Sequence, residues 1–193
     1  MSNSSYNFEM EKNLWQQVSV MAIQRGYIQL YTGDGKGKTT AAIGLAIRAA
    51  GAGKSVFIAQ FVKGMYYAEL DILKMIPSIR LKQYGRKCFI KDEPAPEDIR
   101  AARRGMKEVD AMVKNNECDL LILDEITIAL FYELIPVEHV VDLLRNKPVA
   151  MEIVLTGRSA SPELVKFADL VTEMKEIKHY YRQGVEARAG IEY

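Results

Sequence analysis

The sequence predicts an α/β domain: a mainly parallel sheet with helices on both faces, joined by right-handed crossovers. Three features carry that prediction. Short apolar runs of strand length alternate with helical patterns from residue 26 onward. One of them, Leu120-Leu121-Ile122-Leu123, is apolar without interruption, as in a strand buried on both faces. Between the first strand pattern and the first long helix lie three glycines in five positions, 33–37, which neither a strand nor a helix interior tolerates well.

Each element follows in order. Residues 1–8, rich in Ser and Asn, read as a loose tail. A helix is expected over 9–24, where Leu14, Val18, Met21 and Ala22 fall at helical spacing. The period then changes, and 27–31 reads as a strand. After the glycines, 39–50 is a run of good helix formers closed by Gly51 and Gly53. A buried strand is expected at 55–60, a loop at 62–67, a helix through Met75, and a shorter strand at 79–83. Residues 84–95 read as a long loop, and Pro96 opens a helix to about Asn115. A strand at 119–123 precedes helices at 126–133 and 137–146, separated by Pro136. A strand at 152–156, a helix at 162–168 and a last strand at 169–174 complete the pattern. Residues 175–193 show no periodic signal.

The 193 residues suit one domain, 26–193, preceded by the 1–25 segment. Apolar residues are 49% and charged residues 26%, the balance of a chain that buries a sizeable core. A net charge of +1 argues against duplex nucleic acid as the main partner. Cys88 and Cys118 make neither a disulfide framework nor a metal pair, and no signal-peptide pattern opens the chain, so a cytoplasmic location is expected. No apolar run approaches a membrane span.

In a parallel sheet of this kind, ligands collect outside the carboxyl ends of the strands. The segment there, Thr32-Gly33-Asp34-Gly35-Lys36-Gly37-Lys38-Thr39, is a variant of the phosphate loop G-x-x-x-x-G-K-[ST], with Thr32 at the first glycine position. Gly33, Gly35 and Gly37 let backbone N–H groups point inward as an anion nest, and the helix opening at Lys38 adds its positive dipole end. Lys38 supplies a charge to the phosphates, and the Thr39 hydroxyl can ligate Mg²⁺. Asp124 and Glu125, after an apolar strand, are where such proteins present an acid to the metal. The bland reading of the first motif is a glycine-rich turn, and of the second a solvated strand end.

At this point the chain resembles a known family. The run from Gly33 through Lys38, Thr39 and Thr40, the segment Gln60-Phe61-Val62-Lys63-Gly64, Leu123-Asp124-Glu125, Thr156-Gly157-Arg158, Lys178-His179 and Gly190-Ile191-Glu192-Tyr193 look like the P-loop-type ATP:corrinoid adenosyltransferases. The resemblance implies a P-loop NTPase-type fold and transfer of the 5′-deoxyadenosyl group of ATP to cobalt(I) of a corrinoid, with inorganic triphosphate leaving. It implies that Gly33, Asp34, Gly35, Lys36, Gly37, Lys38, Thr39 and Thr40 hold the triphosphate, and that Thr39 and Glu125 hold Mg²⁺, with Mn²⁺ as a substitute. Lys38, Thr39 and Glu125 are then the catalytic set, with Arg48, Lys63 and Arg158 as further candidates near nucleotide or corrinoid.

The same resemblance implies an aromatic residue in the 84–95 loop that displaces the lower base of the corrinoid, and Phe89 is the candidate. It also implies a lid at 9–24, carrying Trp15 and Met21, a homodimer, and a flavoprotein reductant; the apolar stripe of 9–24 fits a dimer contact equally well. His179 is expected in a structural hydrogen bond. Two other classes stay open from the residues themselves. A kinase or ATPase would make ADP, and a nucleotide-gated interaction module would bind ATP without turnover.

Overall fold

The protein was analysed as a computed structural model, which describes residues 25–87, 90 and 93–193. The helix expected at 9–24, and Cys88 and Phe89, lie outside the described residues.

Six strands form one all-parallel sheet in the order β3-β2-β4-β5-β1-β6. They are β1 (Ile28–Thr32), β2 (Val56–Phe61), β3 (Ile79–Tyr84), β4 (Leu120–Asp124), β5 (Glu152–Thr156) and β6 (Leu170–Glu173). The helices are α1 (Lys38–Gly51), α2 (Glu69–Lys74), α3 (Pro96–Lys114), α4 (Ile126–Phe131), α5 (Val137–Arg145) and α6 (Pro162–Phe167), with a 3₁₀ turn at Tyr180–Gln183. The α/β architecture and the order of elements are those the sequence predicts.

Alternation along the strands divides the core into two layers. Val56, Ile58, Leu120, Ile122 and Val154 face α1 and α2. Their neighbours Phe57, Ala59, Phe61, Leu121, Leu123, Ile153 and Leu155 face α3 to α6. Helix α1 lies against the sheet through Ala42, Ala46 and Ala49, all buried and spaced four and three residues apart. Helix α3 begins where Pro96 requires, and Asp98 accepts the Ala95 N–H at 2.9 Å, closing its first turn.

Strand order reverses around β1. The chain leaves β1 through α1 for β2, three places away, whereas after β5 it passes β1 to form the opposite edge. The loops after β1, β2, β4, β5 and β6 therefore meet at one end of the sheet, the expected position for a ligand.

Candidate active site

The loop 33–37 carries the chain from β1 into α1. Gly37 precedes the helix with φ 121°, and no side chain caps the helix start, so its first amides are open to the cleft. Lys38 is only 6% exposed, and its Nζ donates to the carbonyls of Gly33 (2.6 Å) and Gly35 (2.7 Å). Burial lowers the pKa of its ammonium, with the Glu125 charge opposing. One expected nest donor is diverted. The Gly35 N–H donates to the Met174 carbonyl at 2.7 Å, because β6 runs parallel to β1 and delivers residue 174 over the loop.

Asp124 is the centre of a buried polar network. The strand extends one residue further than expected, and Gln60 stands opposite Asp124 in the β2–β4 ladder. The carboxylate is 1% exposed. Thr39 (2.9 Å) and Thr156 (2.7 Å) donate to Oδ1, and Gln60 (3.1 Å) and Lys63 (2.8 Å) donate to Oδ2. The Lys63 Nζ also donates to the Thr39 hydroxyl at 3.0 Å. Burial alone would depress the Lys63 pKa, but the charge and hydrogen bond of Asp124 outweigh it and hold it above the ordinary lysine value.

Glu125 follows in the left-handed region, φ 58°, an uncommon conformation for a residue with a side chain. Its N–H donates to the Thr156 hydroxyl at 2.9 Å, and its carboxyl lines the cleft. Burial first, and then the neighbouring Asp124 charge, raise its pKa, while Lys63, Lys38 and Arg158 oppose. Opposite it, Gly157 has φ 135°, and a Cβ there would lie 2.2 Å from the Thr127 hydroxyl. Gly157→Ala is therefore expected to cost about 1–3 kcal/mol in backbone strain alone. Urea denaturation measures it, and an unchanged midpoint would show that the turn relaxes.

Arg158 is exposed at the cleft, and its carbonyl accepts the Thr127 hydroxyl at 2.5 Å. Lys36 turns away from the loop's interior to the chain terminus. It donates to the Tyr180 hydroxyl (3.1 Å), the Ile191 carbonyl (2.9 Å) and Glu192 (2.7 Å). Arg188, Lys36 and Tyr180 together hold the Glu192 carboxyl well below the usual carboxylate range. His179 lies in the same cleft, and its Nδ1 accepts the Tyr181 N–H at 3.1 Å.

These groups line one cleft of about 630 Å³, bounded by residues 35–40, Ile43, Lys63, Tyr67, Glu125, Arg158, His179 and 190–193. Of the residues singled out from the sequence, Gly35 to Thr40, Lys63, Glu125 and Arg158 are brought together around it, whereas Gly33 and the exposed Asp34 do not line it. Nor does Arg48. It sits in the last turn of α1, about 15 Å along the helix from Lys38 at the usual rise per residue. There it borders a separate hollow with Arg25, Lys54, Asp119 and Glu152.

Sequence reasoning assigned no role to Gln60, Thr156 or Tyr67, and it gave Lys36 to the triphosphate without foreseeing its pairing with Glu192. The first two carried a signal, as lone polar residues at the ends of otherwise apolar strands. The Thr39 hydroxyl and the carboxylates of Asp124 and Glu125 are hard oxygen donors, the kind Mg²⁺ takes. Among the described residues no three His, Cys, Asp or Glu side chains group closely enough to hold a metal by themselves.

Residues 24–193 match the family model of the ATP:corrinoid adenosyltransferases BtuR/CobO/CobP. The chain is 37% identical over 172 residues to the corrinoid adenosyltransferase of Escherichia coli K12, covering 88% of this chain and 87% of that one. It is 33% identical over 171 residues to the corrinoid adenosyltransferase CobA of Salmonella typhimurium, with 88% and 87% covered. Against the corrinoid adenosyltransferase of Pseudomonas aeruginosa the identity is 30% over 172 residues, with 88% and 85% covered.

Proposed function

This chain belongs to the ATP:corrinoid adenosyltransferase family, and we propose that it alkylates cobalt(I) of a corrinoid with the 5′-deoxyadenosyl group of ATP. The bond formed is cobalt–C5′. The bond broken is C5′–O5′, and the triphosphate leaves with its electron pair. Adenosylation of a corrinoid is the activity of the family; the residue roles are our reading. What supports them most is the cleft itself, where residues 35–40, Lys63, the Glu125 carboxylate, Arg158 and the 190–193 segment face one space, with Asp124 buried just behind Thr39 and Lys63.

Cobalt(I) is a strong nucleophile with no proton to lose, so the protein has to align the reactants and stabilise the departing charge. The loop amides and Lys38 bind the triphosphate. Arg158 adds positive charge at the rim, and Lys63 adds it deeper in the cleft, beside Asp124. Thr39, Asp124 and Glu125 supply the oxygen donors for Mg²⁺, whose charge would offset that of the leaving group; Mn²⁺ fits the same donors. Each 1.4 kcal/mol of such stabilisation is about tenfold in rate. Phe89 remains the proposed residue for displacing the lower base, the 9–24 helix the proposed lid. A homodimer, a flavoprotein reductant and a cytoplasmic location complete the proposal. No described helix is long and apolar enough to cross a membrane.

The test is an anaerobic reaction of the protein with ATP, Mg²⁺ and chemically reduced cob(I)alamin. A light-sensitive alkylated corrinoid formed together with one equivalent of inorganic triphosphate is expected. ADP and phosphate with no alkylated corrinoid would mean phosphoryl transfer. Tight ATP binding without product would mean a binding module.

A further inference from the structure

We infer that Lys63 is a resident counter-ion in the divalent-metal position, so that metal alone is kept out and metal enters together with triphosphate. This rests on the metal site proposed above. The motivating geometry is local. The Lys63 Nζ lies 2.8 Å from Asp124 Oδ2 and 3.0 Å from the Thr39 hydroxyl, touching two of the three side chains expected to ligate Mg²⁺. The Lys63 side chain is 14% exposed and that of Asp124 1%. An ammonium there satisfies the same oxygens a divalent ion would take, and two cations this close in a buried site repel strongly.

The backbone around Lys63 is built for this aim. Val62, a β-branched residue, has φ 58°, in the left-handed region such residues avoid. The turn is clamped from the next loop. A Cβ on Gly64 would lie 2.4 Å from the Gly85 carbonyl, and one on Gly85 would lie 2.5 Å from the Lys63 backbone nitrogen. The backbone at Lys63 thus packs closely against Gly85 and Arg86. The change between the two arrangements falls to the flexible side chain, which lies beside the Tyr67 ring, with its Nζ 5.3 Å from the ring centroid.

The consequence is a thermodynamic coupling. Metal alone has to displace Lys63 from Asp124 with nothing negative to receive the ammonium. A triphosphate arriving with the metal offers that acceptor at the same cleft. Metal and triphosphate then strengthen each other's binding by the same factor, and the cleft does not retain a bare divalent ion between turnovers.

The test uses the full chain and Mn²⁺ as the metal, with protein-bound Mn²⁺ measured by equilibrium dialysis, with and without inorganic triphosphate, the Mn²⁺–triphosphate complex formed without protein serving as the reference. Two variants are compared with the parent. Lys63→Met removes the charge, and Lys63→Gln removes it while keeping an amide donor for Asp124, which protects the fold. For Mn²⁺ without triphosphate, affinity is expected to rise at least about tenfold in either folded variant, from the loss of like-charge repulsion. The factor by which triphosphate tightens Mn²⁺ should shrink correspondingly. In the same solutions Mn²⁺ alone should raise the melting temperature of Lys63→Gln more than that of the parent. Equal Mn²⁺ affinity in parent and Lys63→Gln overturns the inference and leaves Lys63 as a structural partner of Asp124. If the parent takes up no Mn²⁺ even with triphosphate, the metal site itself is wrong, and the inference falls with it.

Discussion

Lys38→Ala is expected to weaken ATP binding by at least about a hundredfold, and transfer with it. The Lys38 ammonium is buried and held over the loop by the carbonyls of Gly33 and Gly35 at 2.6 and 2.7 Å. It is positioned before nucleotide arrives, so little side-chain entropy is lost when phosphate oxygens become its partners. Charge-assisted hydrogen bonds contribute about 1.5–3 kcal/mol each. Losing two amounts to about 3–6 kcal/mol, or about two to four powers of ten in affinity. Isothermal titration with ATP and Mg²⁺ measures this, and circular dichroism establishes that the variant is folded. ATP affinity equal to that of the parent would remove Lys38 from the triphosphate site and with it the assignment of the loop.

The second large effect is on stability. Asp124→Ala is expected to destabilise the protein by about 3–5 kcal/mol, because it leaves the Lys63 ammonium in a buried site without its counter-charge. It also removes the acceptor of Thr39, Thr156 and Gln60. For a domain of this size each kcal/mol lowers the melting temperature by about 2–4 °C, so a drop of about 6–20 °C should be seen by calorimetry. The cause is separable. In the double variant Asp124→Leu, Lys63→Met both charges are gone, and much of the loss should return, since paired apolar replacements of buried ion pairs are often neutral. A double variant as unstable as Asp124→Ala would place the cost in the hydrogen bonds of Thr39, Thr156 and Gln60 instead.

The sequence carried the fold because its signals are local and periodic. Alternating strand and helix lengths, Pro96 at a helix start and the glycines at 33–37 each depend on near neighbours, and the observed elements fall close to those readings. The turn between β1 and α1 was legible for the same reason, since Gly33, Gly37, Lys38 and Thr39 fall within one contiguous stretch of the chain. Errors were of one residue where one residue mattered. Ending the fourth strand at Leu123 hid that Asp124 still pairs in the ladder opposite Gln60, which is why its side chain points into the protein. Arg48 shows the complementary limit. On α1 it is near the loop in sequence, but helical rise carries it towards the other end of the sheet.

By itself, then, the sequence determined the parallel α/β class, the position of the glycine-rich loop between β1 and α1, and the family, because contiguous motifs encode them. Tertiary structure alone decided which strand-end carboxylate meets Thr39, where the Lys63 ammonium rests, and that Lys36 is tied to Glu192 across 156 positions of sequence. Those contacts join segments far apart in the chain. They are fixed by strand order, ladder register and the packing of loops at one end of the sheet, none of which has a local signature in the residues that make the contact.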